Sequence, residues 1–290
     1  MSSPQKPDAR KTFHPGTQDR FLARLYGCTA GRLLLKLLVS PVVSRAAGAF
    51  LSTRLSTVLI KPFIRANGID MSPYETGPYR SYNAFFSRRI RPECRPIDRE
   101  PGHLIAPCDS KLTALPISQD LRFTLKNTEY TVTSLLRDEV LARAYEGGYA
   151  LIFRLTVDDY HRYCYIADGT KGDNVRIPGV LHTVNPIAND HVPIYKENAR
   201  EYTVLHTEVF GDVVMMEVGA LLVGRIVNHH QAAAVRRGEE KGYFQFGGST
   251  VVVLLEKDRV CMADDILENT RAGKETIVQM GERIGCAVLR

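Results

Sequence analysis

Tryptophan is absent from this 290-residue chain, and so are the features that would most quickly place it in a special class. No apolar run reaches the ~20 residues that a bilayer-spanning helix needs. Leu33-Leu34-Leu35-Lys36-Leu37-Leu38-Val39 is interrupted by Lys36 and stopped by Pro41, and residues 46–60 carry Arg54 among helix-weakening Ser and Thr. The six cysteines, Cys28, Cys94, Cys108, Cys164, Cys261 and Cys286, stand far apart without C-x-x-C spacing, which points to free thiols in a reduced compartment. Only His229 and His230 are neighbours among eight histidines, and without a nearby cysteine or an H-x-x-x-H spacing no metal site is expected. Repeats and low-complexity segments are missing, and no nucleic-acid partner is expected. What remains is ordinary globular composition, 44% hydrophobic and 24% charged, on a chain long enough for a sizeable core.

Charge is distributed unevenly. Residues 1–65 hold eleven Lys/Arg against only Asp8 and Asp19, a balance of +9 within a total of +6, so the remainder sums to −3. Residues 1–20 read as a flexible polar terminus and 21–75 as helices with short apolar blocks among basic residues. That mixture suits the interface of an anionic membrane, where apolar burial and charge attraction add; the alternative is a helical pair packed on the protein's own core. Charged residues on both sides of the apolar block speak against a cleavable signal peptide. Arg and Ser content is compatible with a mitochondrial presequence, and Asp8 and Asp19 count against one.

From residue 76 the pattern changes. A short helix is expected at Ser81-Tyr82-Asn83-Ala84-Phe85-Phe86-Ser87, then β-rich runs at 104–106, 149–157, 163–166, 175–184, 202–210, 213–218, 221–227 and 250–255, separated by turn signals and interrupted by one helix at 134–145. The fold class is α+β: N-terminal membrane-associating helices followed by a mainly antiparallel β sandwich or barrel-like catalytic domain over 76–290.

The tetrapeptide Gly247-Gly248-Ser249-Thr250 carries the most chemistry. Two glycines allow a strained, closely approached backbone, and the Ser249 oxygen lies beside the carbonyl that precedes it. Attack of that hydroxyl on the Gly248 carbonyl, followed by β-elimination and hydrolysis, would cut the chain and leave a pyruvoyl group at a new N-terminus. On its own the motif is more often a turn that begins a strand. A serine that attacks an amide needs a base, and the base an orienting carboxylate. His161 in Asp159-Tyr160-His161-Arg162 and Asp109 in Pro107-Cys108-Asp109-Ser110 are the candidates, each with a plain local reading as a core histidine or a turn former.

Taken in order, the motifs resemble those of the phosphatidylserine decarboxylase proenzymes from about Tyr79 to the C-terminus. They are Tyr82-Asn83-Ala84-Phe85-Phe86-Ser87-Arg88 with Arg95-Pro96-Ile97-Asp98, then Pro107-Cys108-Asp109-Ser110, Asp159-Tyr160-His161-Arg162, and Pro178-Gly179 through Val184-Asn185. Val218-Gly219-Ala220 with Val223-Gly224 and finally Gly248-Ser249-Thr250 complete the series. The resemblance implies that Asp109 orients His161, that His161 deprotonates Ser249, and that cleavage between 248 and 249 yields two chains, 1–248 and 249–290, that stay associated. It implies a covalent pyruvoyl cofactor derived from Ser249, whose carbonyl condenses with the amine of phosphatidylserine and takes up the electrons released with carbon dioxide. His161 is then the first candidate for the acid that delivers the proton. A peripheral position on the cytoplasmic face of a bacterial-type membrane is expected, and a homodimer is compatible.

Two departures stand out. Many members carry a second histidine three residues after the first, where this chain has Cys164, and many have Leu-Gly before the serine, where this chain has Gly247-Gly248. The alternatives are a serine hydrolase with an intact Ser249, which the absence of G-x-S-x-G weakens, a non-catalytic membrane-binding protein, and a pyruvoyl decarboxylase of another amine.

Overall fold

The structure, a computed structural model, describes residues 47–125, 128–180, 194–219, 225–245 and 249–288. Most of the expected N-terminal helical region, the stretch 181–193 and the pair Gly247-Gly248 lie outside the described residues.

Seventeen strands are described. They are β1 (His103–Ile105), β2 (Ser110–Pro116), β3 (Arg122–Leu125), β4 (Thr128–Thr131), β5 (Tyr149–Leu155), β6 (Arg162–Cys164), β7 (Gly169–Lys171), β8 (Val175–Ile177), β9 (Arg200–Thr207), β10 (Gly211–Val218), β11 (Arg225–Asn228), β12 (Ala233–Val235), β13 (Glu240–Gln245), β14 (Ser249–Leu255), β15 (Val260–Met262), β16 (Thr276–Val278) and β17 (Arg283–Ala287). Nine of them form one sheet in the order β12-β7-β9-β10-β14-β5-β2-β16, with β8 also on β9. Every pair in it is antiparallel. Two three-stranded sheets, β11-β13-β6 and β1-β17-β15, complete the main body. The described strands close no barrel, so the barrel-like element of the expected class is corrected to an open large sheet with smaller sheets beside it.

Period-2 alternation decides which face each residue occupies. Val251, Val253 and Leu255 of β14 share a core with Phe153 and Leu155 of β5, Tyr163 of β6, Phe244 of β13 and Ile284 of β17. Val252 and Leu254 point the other way, into a second core with Ile152, Phe123, Tyr130 and the helical residues Leu135 and Leu136. A third cluster joins Ile60, Phe85 and Phe86 to Tyr160, and so anchors the N-terminal helical segments to the β domain.

The helix expected at 134–145 is two helices, Val132–Leu136 and Glu139–Arg143. Arg137 takes φ 53°, a left-handed conformation that ends the first, and the Asp138 carboxylate accepts from Leu141 N to start the second. Tyr82–Phe86 is helical as expected, with the Ser81 hydroxyl accepting from Ala84 N at its start.

Candidate active site

Ser249 opens β14, the strand between β10 and β5. Its Cα partner on β5 is Leu155, and Thr250 pairs with Val218 on β10. Because Ser249 is two residues before Val251, its side chain points toward the core shared with Tyr163 and Phe244. It is fully buried, and its Oγ has no hydrogen-bond partner among the described residues.

The His161 segment is tied to Ser249 from both sides. Leu155, opposite Ser249, runs into the turn Thr156–Asp159, where Asp159 N donates to Thr156 O at 2.9 Å, and two residues later the chain reaches His161. From the other side, Phe244 N, five residues before Ser249, donates to the His161 carbonyl at 2.9 Å. His161 is itself fully buried, with the Phe86 ring at 4.1 Å between centroids.

Local chemistry fixes its tautomer. Nδ1 lies 3.0 Å from the Asp159 carbonyl, which only accepts, so Nδ1 carries the hydrogen and Nε2 the lone pair. Nε2 is buried and has no partner among the described residues. Burial pushes the imidazole pKa down to about 3, opposed by the Asp159 carbonyl and reinforced by the Arg88 charge. At neutral pH the ring is therefore uncharged, with its basic nitrogen free to receive a proton. Asp159 is held in turn by Lys111, whose Nζ lies 2.7 and 2.6 Å from the two carboxylate oxygens and 2.5 Å from Thr156 Oγ1. A line of support thus runs from Lys111 through the Asp159 turn to the His161 ring.

Asp109 is placed differently from its expected role. Both its oxygens accept from Arg95, at 2.8 Å and 3.0 Å from Nε and 2.6 Å from Nη2, and Met280 N donates to Oδ1 at 2.9 Å. No hydrogen bond joins it to His161, whose orienting acceptor is the Asp159 carbonyl. The physical reason is that a bidentate guanidinium matches a carboxylate's two oxygens. Asp109 stands instead within electrostatic reach of Cys164, the position where many family members have a second histidine. Burial raises the Cys164 thiol to about 12, with Asp109 adding to the rise, so it stays protonated at neutral pH and offers no base.

Other buried charges were not singled out by the sequence. Lys241 Nζ pairs with Glu217 Oε2 at 2.7 Å, and neither side chain is exposed. Glu217 pairs in register with Val251 and so shares the face of Ser249. Arg154, in register with Thr250, holds Glu275 through Nε at 2.8 Å and Nη2 at 2.5 Å. Glu217 and Arg154 each interrupt the apolar run of their strand, which is the signal sequence offers.

A family model described as phosphatidylserine decarboxylase matches residues 82–286. The chain is 49% identical over 262 residues to phosphatidylserine decarboxylase proenzyme 2 of Clostridium acetobutylicum, covering 90% of each. The chain belongs to the phosphatidylserine decarboxylase family. It is also 38% identical to a phosphatidylserine decarboxylase proenzyme of Ruminiclostridium cellulolyticum over 272 residues, or 92% of this chain and 91% of that one. A proenzyme of Clostridium botulinum strain Langeland is 37% identical over 273 residues, 92% of each. The family assigns the enzyme class, a carboxy-lyase acting on phosphatidylserine.

Proposed function

We propose that the chain matures by cutting itself between Gly248 and Ser249 and then decarboxylates phosphatidylserine to phosphatidylethanolamine. The observation that carries this reading is the placement of Ser249. It heads a central strand, buried on the His161 side, and neither its Oγ nor the His161 Nε2 has a partner among the described residues.

In the maturation, His161 Nε2 accepts the Ser249 hydroxyl proton as Oγ attacks the Gly248 carbonyl, and the peptide C–N bond gives way to an ester. Loss of the Ser249 Cα proton then expels the Gly248 carboxylate. Addition of water and departure of ammonia leave a pyruvoyl group at residue 249, with one water consumed overall. An imidazole with a pKa near 3 is a weak base but, once protonated, a strong acid, so the proton it takes is passed on readily. When present, the pyruvoyl group supplies the electrophilic carbonyl that receives the substrate amine and the electrons freed with carbon dioxide. The residues around it fit that use: Phe153, Val251 and Phe244 belong to the buried apolar core that the Ser249 face points into, and His161 is the residue we assign to move protons. Asp109, held by Arg95 and by Met280 N, is assigned a positioning role.

The surface of the N-terminal segment supports contact with a lipid bilayer. Phe50, Leu55 and Val58 are 50%, 75% and 72% exposed, beside Arg54, Lys61 and Arg65. No described helix is long and apolar enough to cross a membrane. The apolar and basic composition of this face suits contact with an anionic leaflet. Leu55→Asp with Val58→Asp should weaken co-sedimentation with phosphatidylserine vesicles; unchanged binding would remove this face from the proposal.

Denaturing mass analysis tests the central reading. The expected result is two chains, 1–248 and 249–290, the shorter blocked at its N-terminus and changed in mass by hydride reduction. An intact single chain in a preparation that turns over lipid would overturn it.

A further inference from the structure

Arg88 is 2% exposed, yet no carboxylate among the described residues pairs with it. Its partners are all neutral. Nη2 donates to Tyr74 Oη at 3.1 Å, and the Phe85 and Asp158 carbonyls are each 3.5 Å from the guanidinium. The Tyr74 and Phe85 rings lie 4.1 and 4.9 Å away, and Nε is buried with no partner. An arginine cannot shed its proton to escape burial. Stacking on aromatic rings offsets only part of the cost of taking an ion from water. The balance is unfavourable until an anion arrives.

The position says which anion. Arg88 follows Phe86, whose ring lies against His161, and its charge reaches that imidazole. It lines an open groove of about 340 Å³ together with Arg89 and Arg162, with Glu75 the carboxylate in the lining. Arg162 is committed to Glu240 at 2.6 Å and to the Ser87 carbonyl at 2.9 Å, so it adds a neutralised pair rather than a competing site. The helix that ends at Phe86 also carries the apolar surface segment: Tyr82 N donates to Ser56 Oγ at 2.9 Å, and Asn83 Nδ2 to Ser52 Oγ at 2.9 Å. One end of this unit thus faces lipid and the other His161.

The geometry points to Arg88 as the residue that binds the phosphodiester of the lipid substrate, seating the headgroup in this groove with its serine moiety toward residue 249. This rests on the decarboxylase reading of Ser249 and His161. The phosphodiester is favoured over the substrate carboxylate on energetic grounds. A guanidinium on the carboxylate would hold the ground state more tightly than the transition state, in which that charge is leaving. The phosphodiester keeps its charge throughout, so binding it lowers KM and leaves kcat alone.

The test uses Arg88→Gln and Arg88→Lys in the full chain, assayed on phosphatidylserine in mixed micelles. Loss of a charge-assisted contact should raise KM about tenfold or more in Arg88→Gln, and less in Arg88→Lys, which keeps the charge beside His161. Inhibition by glycerophosphoethanolamine should weaken by the same factor, while inactivation by hydroxylamine, which carries no phosphate, keeps its wild-type rate. A fall in kcat with KM and this inhibition unchanged would overturn the assignment. If neither variant matures, wild-type crystals soaked with glycerophosphoethanolamine decide: a phosphate bonded to Arg88 supports the site and one seated elsewhere overturns it. A wild-type protein that neither cleaves at 248–249 nor decarboxylates would instead remove the underlying reading.

Discussion

His161 combines complete burial, a fixed tautomer and a depressed pKa, and each has a measurable consequence. The folded value is about 3 against an ordinary 6.5, so between these pH values the unfolded chain binds a proton that the folded chain refuses. Stability is therefore full above about pH 6.5 and falls as pH drops toward 3, by up to about 1.4 kcal/mol per pH unit. Urea unfolding at pH 7, 5.5 and 4.5 in a Ser249→Ala background should show this slope, and His161→Gln should flatten it; equal slopes would contradict the burial argument. In the chain with Ser249 intact, His161→Gln should leave the polypeptide uncut on a denaturing gel. The Lys241–Glu217 pair offers a second test, because burial raises the Glu217 carboxyl and Lys241 opposes that rise. Lys241→Met leaves a buried acid unpaired and should lose about 3–5 kcal/mol in denaturant unfolding, with much of it recovered when Glu217→Gln is added.

Among the elements, the helix Tyr82–Phe86 is short and depends on its cap. Ser81→Ala should lower unfolding free energy by about 1 kcal/mol, and Phe86→Ala by about 3–5 kcal/mol, since that ring is buried against His161. This helix was legible because Ser81 and the paired phenylalanines carry their own signal. So were β5, β10 and β14, whose continuous apolar runs are what a sheet covered on both faces requires. The break at Arg137 was not, because nothing in its side chain announces a left-handed backbone. Three-residue strands such as β15 and β16 are too short to show a period. Ser249 and His161 were singled out by their motifs, while their burial and unpartnered atoms became visible only in the fold. Asp109 was singled out as the partner of His161, and chain order gives no sign that Arg95 occupies both its oxygens. Arg88 stands in a recognisable motif, yet its unpaired burial exists only once Tyr74, Phe85 and Asp158 converge on it.

For the molecule as a whole, cleavage before Ser249 would give a short chain that holds β14, β15, β16 and β17. β14 lies between β10 and β5, β17 between β1 and β15, and β16 pairs with β2. The two chains should co-elute in native gel filtration and separate only in denaturant; release of the short chain under native conditions would contradict this sheet order. The place of Ser249 at the head of β14 has one more consequence. A reactive group made there has no dissociation constant, because the ladder to Leu155 and Val218 fixes its root. It also has no spare. Each chain would form a single one on maturation, and a chemical accident that reduced or capped it would retire that molecule permanently, so lost capacity would be restored only by translating new protein.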